Sequence, residues 1–114
     1  MIKLNVNIDH IATLRQSRLG FDPDPISATK IIKSSGANGV VMHLREDRRH
    51  IQDSDLSRFK RELKFHLNLE MAPTRDMFDI ANKVEPNTIT LVPEKRKELT
   101  TEGGLNVKKN LKRL

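Results

Sequence analysis

Acid–base and anion-binding side chains gather in four short stretches of the sequence, each at or directly after the end of a strand-like run. The members are Asn7, Asp9 and His10 at the end of the first run, His43, Arg45 and His50 at the end of the second, Glu70 at the end of the third, and residues 94–101 after the fourth. Imidazole and carboxylate groups exchange protons, and guanidinium groups bind phosphate or carboxylate oxygens. These residue types favour proton transfer on an anionic molecule, which also suits the formal net charge of +6.

Each of these residues also has a purely structural interpretation. His43 can be an ordinary polar residue at a strand end, although its place beside Arg45 is equally consistent with a site. Glu70 is predicted to point inward, where a carboxylate must either pair with a base or take part in chemistry. Asp9 and His10 can form a simple turn, and the sequence alone leaves both interpretations open.

Other charged residues fit a structural role better. His66 lies deeper in the third apolar run and is predicted to be a core histidine with its hydrogen bonds satisfied. Arg48 and Arg49 are predicted to be solvated, or to form weak surface ion pairs with Glu46 and Asp47.

Motifs for metals and nucleotides are absent from the sequence, which contains no HExxH, GxGxxG or P-loop pattern. His43 and His50 are seven residues apart in a predicted loop and lack the carboxylate pattern of a zinc site. We therefore do not expect a metal site.

Binding to nucleic acid is a weaker alternative. The basic balance fits it, with 21 Lys+Arg against 15 Asp+Glu. However, the chain has no Trp or Tyr for base stacking, and its four Phe fall mostly at predicted core positions.

Strand-like and helix-like patterns alternate along the chain. The strand-like runs are 3–8, 39–44, 64–70 and 88–93. Asp24 is placed to cap a helix that begins at Pro25 and stops at Gly36. Two further helices are predicted from apolar spacing. The first has Leu56, Phe59 and Leu63 on one face. The second has Met77, Ile80, Ala81 and Val84 on one face, with Thr74 as its cap and Pro86 as its stop. A last helical spacing joins Val107, Leu111 and Leu114. This order predicts an α/β fold with a parallel sheet.

The strands themselves have one apolar and one largely polar face. For example, Phe65, Leu67 and Leu69 alternate with His66, Asn68 and Glu70 in the third run. A sheet covered by helices on both faces would read as continuous apolar runs, so helices on one side and a polar interior on the other are favoured. The expected architecture is the (β/α)8 TIM barrel, in which the site lies at the C-terminal ends of the strands.

The length of 114 residues falls short of the ~250 that such a barrel needs. Residues 1–114 are therefore predicted to be the N-terminal half of a single TIM-barrel domain, with roughly the first four β/α units. The absence of cysteine, of a signal-peptide pattern and of any apolar stretch near ~20 residues favours a cytoplasmic protein without a membrane segment.

Four long motifs closely resemble the pyridoxine 5′-phosphate synthase family of vitamin B6 biosynthesis. They are "VNIDHIATLRQSR" (6–18), "HLREDRRHIQD" (43–53), "NLEMA" (68–72) and "LVPEKRKELTTEGGL" (91–105). The resemblance covers essentially this whole chain but only the first half of the family's barrel. It implies a TIM barrel that condenses 1-deoxy-D-xylulose 5-phosphate with 3-amino-2-oxopropyl phosphate, releasing phosphate and water without a redox cofactor or metal.

The resemblance also implies roles for individual residues. His43 and Glu70 match the family's proton acceptors in this half, and Asn7 and Arg18 match contacts to the amino-ketone phosphate. Contacts to the deoxyxylulose phosphate are matched by Asp9, His10, Arg45, His50 and Thr100. The implied partners are phosphorylated small molecules, not nucleic acid or membrane, and a homo-oligomer is expected.

Two alternatives stay open, namely a half-barrel that binds a sugar phosphate without turnover and a basic nucleic-acid-binding module. Because the family carries a further glutamate, a histidine and phosphate loops in its second half, we expect the chain alone to be inactive.

Overall fold

The computed structural model of the protein describes residues 1–94 and 103–114. Strands and helices alternate through most of this length, as the sequence predicts. The elements are β1 (Asn5–Asn7), α1 (Asp9–Ser17), α2 (Pro25–Ser34), β2 (Gly39–His43), α3 (Asp53–Glu62), β3 (His66–Met71), α4 (Arg75–Val84), β4 (Thr88–Leu91) and α5 (Val107–Asn110).

The described strands form one parallel sheet in the order β1-β2-β3-β4. Each strand lies beside the one before it in the chain, without the reversal of order that marks a doubly wound sheet. Successive parallel neighbours joined by helices are the arrangement of a βα barrel. The predicted α/β class and the first four strands of such a barrel are therefore confirmed.

The predicted division of the sheet into two faces is confirmed in β2 and β3, whereas Leu4 and Ile89 of the predicted apolar face are exposed at the outer strands. Alternate residues of β2 and β3 are fully buried against the helices, among them Met42 and Leu69. They pack with Leu56 of α3 and Met77 of α4 in one hydrophobic cluster. Burial of each such side chain contributes roughly 1.5–3 kcal/mol. The helices thus hold the sheet from one side, and the face that carries Glu70 stays polar and partly exposed.

The start of β2 is constrained by a close approach of neighbouring strands. A Cβ atom on Gly39 would lie 2.7 Å from Asn5 Oδ1 and 2.7 Å from the carbonyl oxygen of His66. Backbone and side chain from both flanking strands occupy that space, so glycine is required there for the observed register.

Both predicted helix caps are present. Asp24 accepts hydrogen bonds from the backbone N–H groups of Ile26 (3.3 Å) and Ser27 (3.2 Å), and Pro25 begins α2. Thr74 accepts from the N–H of Met77 at 3.4 Å and caps α4. Asp24 makes a further contact that the sequence did not predict. It receives two hydrogen bonds from Arg58 of α3, at 2.9 and 3.0 Å.

Asp24 should make the stability of the fold pH-dependent. Burial alone would raise the pKa of its carboxyl, but hydrogen bonds from Arg58, Ser27 and the helix N-terminus lower it to about 2. A depressed folded-state pKa gives stabilisation that is present above about pH 4 and is lost as the pH falls toward 2. We expect Asp24→Asn to lower the free energy of unfolding by about 1–2 kcal/mol at pH 6 and by almost nothing near pH 2.

The difference in the free energy of unfolding between Asp24→Asn and the unaltered protein is measured by urea unfolding between pH 6 and pH 2. Asp76→Asn is the matched control, because it removes an exposed carboxylate from the first turn of α4. It should change the free energy of unfolding by less than ~0.5 kcal/mol. An Asp24→Asn deficit that stays constant down to pH 2 would contradict the assignment.

Helix α1 corrects the interpretation of Asp9 and His10 as a turn, because both residues lie in its first turn. The apolar spacing that reveals α3 and α4 is obscured here, since the buried face of α1 includes Asp9 and Arg15. Arg15 is buried because it forms a bidentate ion pair with Asp55 of α3, at 2.6 and 2.8 Å. A charged residue on an inward face can be recognised only once its partner is known.

None of the described helices is long and apolar enough to cross a membrane.

Candidate active site

His43 and Glu70 occupy neighbouring positions at the C-terminal ends of β2 and β3. Their Cα atoms are partners in the parallel register. Nδ1 of His43 lies 4.0 Å from Oε2 of Glu70, and the two side chains are 7% and 28% exposed. The structure thus brings the two predicted proton acceptors together at one edge of the sheet, with Glu70 open to the polar side.

Asp9 connects the end of β1 to the same place. Its Oδ1 accepts the backbone N–H of His43 at 2.8 Å, and its Oδ2 accepts from Nδ2 of Asn7 at 2.9 Å. Asn7 in turn accepts from the N–H of Asp9 at 2.9 Å. Both carboxylate oxygens therefore have partners, and Asp9 fixes the backbone on which His43 is mounted.

The surroundings of Glu70 suit a group that exchanges protons. Burial raises the pKa of the Glu70 carboxyl, and nearby Asp9 raises it further against an opposing effect of His43. A carboxyl with a raised pKa holds its proton closer to neutral pH, which is what a general acid or base requires.

Glu94 completes the surroundings of His43 from the other side. Its Oε1 lies 2.6 Å from Nε2 of His43, and its Oε2 accepts the backbone N–H of Glu46 at 3.1 Å. The Glu94 side chain is only 5% exposed. The sequence places Glu94 at the start of the candidate segment 94–101 but does not single it out. Its position after the fourth apolar run was the available signal.

The loop after β2 carries two predicted anion-binding groups, Arg45 and His50, both of which are buried. Nδ1 of His50 accepts the N–H of Ile51 at 2.8 Å. Burial lowers the pKa of His50, with Arg45 and His43 adding to the decrease and Asp9 opposing it. The neutral ring therefore carries its proton on Nε2, and this N–H can donate to an anion.

Ion pairs hold the shape of this loop. Arg48, whose φ is +54°, donates to Asp53 at 2.7 Å and to the carbonyl oxygen of Arg45 at 3.0 Å. The sequence predicted Glu46 or Asp47 as the carboxylate partner of Arg48. This prediction is wrong, because the left-handed turn at Arg48 directs its side chain toward Asp53 at the start of α3. The pair of Arg49 with Asp47 is confirmed at 2.8 Å.

A buried contact joins the loop to α1. Besides binding Asp55, Arg15 donates from Nη2 to the carbonyl oxygen of His50 at 3.2 Å. Removal of either member of a buried ion pair leaves an uncompensated charge, which is strongly destabilising. Arg15 therefore positions the backbone of His50, a role that its place in the sequence does not predict.

Three other predicted site residues are exposed or lie outside the described chain. His10 is exposed on α1, with Nδ1 3.4 Å from Oγ1 of Thr13. Arg18 is exposed at the C-terminal end of α1, about 13 Å along the helix from Asp9. Thr100 lies outside the described residues. Their assignment as substrate contacts stays a prediction.

His66 lies at the opposite end of β3 from Glu70, with Nε2 3.2 Å from Oγ1 of Thr88. It has the hydrogen-bond partner that the sequence predicted, but it is half-buried rather than part of the core.

A metal could in principle be held by Asp9, His43 and Glu70, whose ligand atoms lie within 4.8 Å of one another. Both oxygens of Asp9 already accept hydrogen bonds, so the group does not point to a metal. The expectation of a site without a metal or cofactor stays a prediction. The arrangement supports transfer of protons between His43, Glu70 and a molecule bound over the polar face of the sheet.

Comparison with known proteins gives a consistent result. The family model of the pyridoxal phosphate biosynthesis protein PdxJ matches residues 4–114. A pyridoxine 5′-phosphate synthase of Geotalea uraniireducens (strain Rf4) is 60% identical over 111 residues, covering 97% of this chain and 46% of that protein.

Two further relatives carry the same name. The match to the protein of Pelobacter propionicus is 57% identical and spans 98% of this chain and 47% of that protein. That of Synechococcus sp. (strain JA-2-3B'a(2-13)) is 55% identical over all 114 residues, with 48% of its length covered. The chain spans slightly less than half the length of these relatives.

Proposed function

The chain belongs to the family of pyridoxal phosphate biosynthesis protein PdxJ, and on this premise we propose that it supplies proton-transfer and anion-binding groups to a pyridoxine 5′-phosphate synthase. The proposed reaction condenses 1-deoxy-D-xylulose 5-phosphate with 3-amino-2-oxopropyl phosphate to pyridoxine 5′-phosphate, inorganic phosphate and water. The single observation that carries the proposal is the pairing of His43 and Glu70 across adjacent strand ends, 4.0 Å apart.

This pair suits a sequence of imine formation, enolisation and dehydration. Each of those steps moves a proton to or from carbon, nitrogen or oxygen, and each needs a donor or acceptor held close to the reacting atom. Glu70 is open to the polar side of the sheet, and its raised pKa makes the carboxyl better able to donate a proton and take it back. Asp9 accepts the backbone N–H of His43 and so anchors the strand end that carries the ring beside Glu70.

Two groups in the loop after β2 are proposed to bind the phosphate or sugar oxygens of deoxyxylulose phosphate. Arg45 offers a charged donor and His50 a neutral one, and the loop that carries both is held by ion pairs. By their match to the family motifs, Asp9, His10 and Thr100 are proposed to contact the same substrate. Asn7 and Arg18 are proposed to contact the amino-ketone phosphate.

Other properties are proposed from family membership and composition. The partners are phosphorylated small molecules rather than nucleic acid or a membrane, and the reaction uses no cofactor or metal. The protein is proposed to be cytoplasmic and to act as a homo-oligomer.

The proposed function is tested in a full-length form, meaning a protein of the relatives' length whose first 114 residues are this chain. Incubation with both substrates should give pyridoxine 5′-phosphate, identified by its absorbance and mass, and one inorganic phosphate per product. Binding of deoxyxylulose phosphate without product would favour the second candidate, a sugar-phosphate-binding protein. Binding to nucleic acid that weakens steeply with salt would favour the third.

Arg45→Met should weaken binding of deoxyxylulose phosphate to the full-length form by roughly 1.5–3 kcal/mol, the range of a charge-assisted hydrogen bond. Methionine keeps much of the buried aliphatic length while removing the guanidinium. Calorimetric titration measures the change. Arg61→Met is the matched control, because Arg61 is an exposed residue of α3, and it should leave the affinity unchanged. Equal affinities for the two variants would assign Arg45 to a structural ion pair instead.

A further inference from the structure

We propose that Glu94 is a positioning residue for His43. It holds the His43 ring in the tautomer that carries its proton on Nε2, which leaves Nδ1 to exchange protons beside Glu70. The proposal rests on the proposed function for its effect on turnover, whereas its effect on the tautomer can be measured without any reaction. The contact joins residues 51 positions apart in the chain and was not among the predicted site contacts.

The tautomer follows from the geometry of the contact. Nε2 of His43 lies 2.6 Å from Oε1 of Glu94, a short distance typical of charge-assisted hydrogen bonds. An ionised carboxylate only accepts hydrogen bonds, so the shared proton must come from the ring nitrogen. The carboxylate is kept ionised because hydrogen bonds from His43 and from the N–H of Glu46 lower the pKa of Glu94, although burial alone would raise it.

The other ring nitrogen is left for chemistry. Nδ1 of His43 lies 4.0 Å from Oε2 of Glu70, which is too long for a direct hydrogen bond. Its lone pair can therefore accept a proton from a bound molecule. The ring then becomes an imidazolium whose charge is balanced by the carboxylate of Glu94, and return of the proton restores the neutral ring.

The two carboxylates beside His43 are prepared for different roles. Burial, with Asp9 adding to it, raises the pKa of Glu70, whereas hydrogen bonds lower that of Glu94 despite its burial. Glu70 is 28% exposed on its side chain and faces the polar side, and Glu94 is 5% exposed with both oxygens engaged. Two titratable groups with pKa values moved in opposite directions identify one as an acid or base and the other as a fixed charge.

A purely structural role would also place Glu94 here, since its Oε2 connects the end of β4 to the loop after β2 through the N–H of Glu46. The two roles differ in which substitution is tolerated. Glu94→Gln preserves size but loses the charge, and its amide can donate to Nε2 and so favour the opposite tautomer. Glu94→Asp preserves the charge but is one methylene shorter.

The experiment measures turnover of the full-length form and its two Glu94 variants. We expect Glu94→Gln to lower kcat by about 10- to 100-fold with KM changed by less than about threefold. Glu94→Asp should recover part of the lost kcat, because it retains the negative charge. Asp79→Asn, which removes an exposed carboxylate of α4, is the control and should retain full turnover. A larger loss in Glu94→Asp than in Glu94→Gln would overturn the proposal in favour of a structural connection.

Nitrogen NMR of labelled histidine in the same proteins gives a second readout that needs no substrate. We expect His43 to carry hydrogen on Nε2 in the unaltered protein and to lose this preference in Glu94→Gln. An unprotonated Nε2 in the unaltered protein would overturn the proposal. If the unaltered full-length form makes no pyridoxine 5′-phosphate, the proposed function fails, and the tautomer measurement still decides the role of Glu94.

Discussion

His43→Ala and Glu70→Gln are each expected to lower the turnover of the full-length form by about 100-fold or more, the usual contribution of a positioned acid or base. Their side chains lie on adjacent strand ends with Nδ1 and Oε2 4.0 Å apart. Alanine removes the imidazole, and glutamine removes a proton-exchanging group without changing its size. The initial rate of pyridoxine 5′-phosphate formation at saturating substrate measures both effects.

Two matched controls lie at the opposite end of the sheet or on the surface. His66→Asn replaces a histidine at the start of β3, the strand that ends with the site. Glu85→Gln removes a carboxylate that pairs with Lys60 on the surface. Both controls should turn over within about threefold of the unaltered enzyme. If His43→Ala and Glu70→Gln also stay within that range, the pair is not the acid–base centre.

Stability should separate loss of chemistry from loss of folding. Because the folded-state pKa of Glu70 is raised, its contribution to stability is present below the ordinary carboxyl pKa and is lost as the pH rises through the folded value. The ionised form is therefore the less favourable one at neutral pH. Glu70→Gln is neutral at every pH, so its free energy of unfolding at pH 8 should equal or exceed that of the unaltered protein.

The second large effect concerns the 114 residues produced on their own. They are expected to give no detectable pyridoxine 5′-phosphate and to self-associate rather than persist as a stable monomer. Within the described residues, β1 and β4 are the outer strands of the sheet, and each pairs on one side. Strand edges of this kind invite pairing with other chains. Four strands also cannot close a barrel, since closure requires the tilt and stagger of a full set.

The exposed surface of the described chain supports the same expectation. Leu4 before β1 and Ile89 on β4 are 61% and 41% exposed, and Val107 and Leu111 near the end of the chain are 56% and 69% exposed. The side chain of Glu70 is also 28% exposed on the polar face of the sheet, so water can weaken the electrostatic interactions on which the proposed catalysis depends.

Sedimentation velocity and a phosphate-release assay test the isolated chain, with the full-length form as the positive control for both. We expect a dimer or larger species for the isolated chain and phosphate release only from the full-length form. A compact monomer that releases phosphate at the rate of the full-length form would show that these 114 residues hold a complete site.

The sequence by itself determined the features of this protein that depend on short-range pattern. The alternation of Leu67 and Leu69 with Asn68 and Glu70 specified which face of β3 is buried, because side chains of a strand point alternately to its two sides. Asp24 and Thr74 marked two helix starts, because a cap bonds to an N–H two or three residues away. His43 and Glu70 come at the ends of successive strand-like runs, which placed both at one edge of the sheet, since parallel strands end together.

Only the tertiary structure decided how those groups are connected and charged. Three contacts join residues that are far apart in the chain. Glu94 meets His43 across 51 positions, Asp9 accepts the N–H of His43 across 34, and Arg15 pairs with Asp55 across 40. Periodicity tells which side of an element is buried but carries no information on which distant charge a buried arginine or glutamate meets. Helix α1 was missed for that reason, because its inward face includes Asp9 and Arg15. The direction of the pKa shifts at Glu70 and Glu94 likewise depends on burial and on partners from other strands, which only the folded chain brings together.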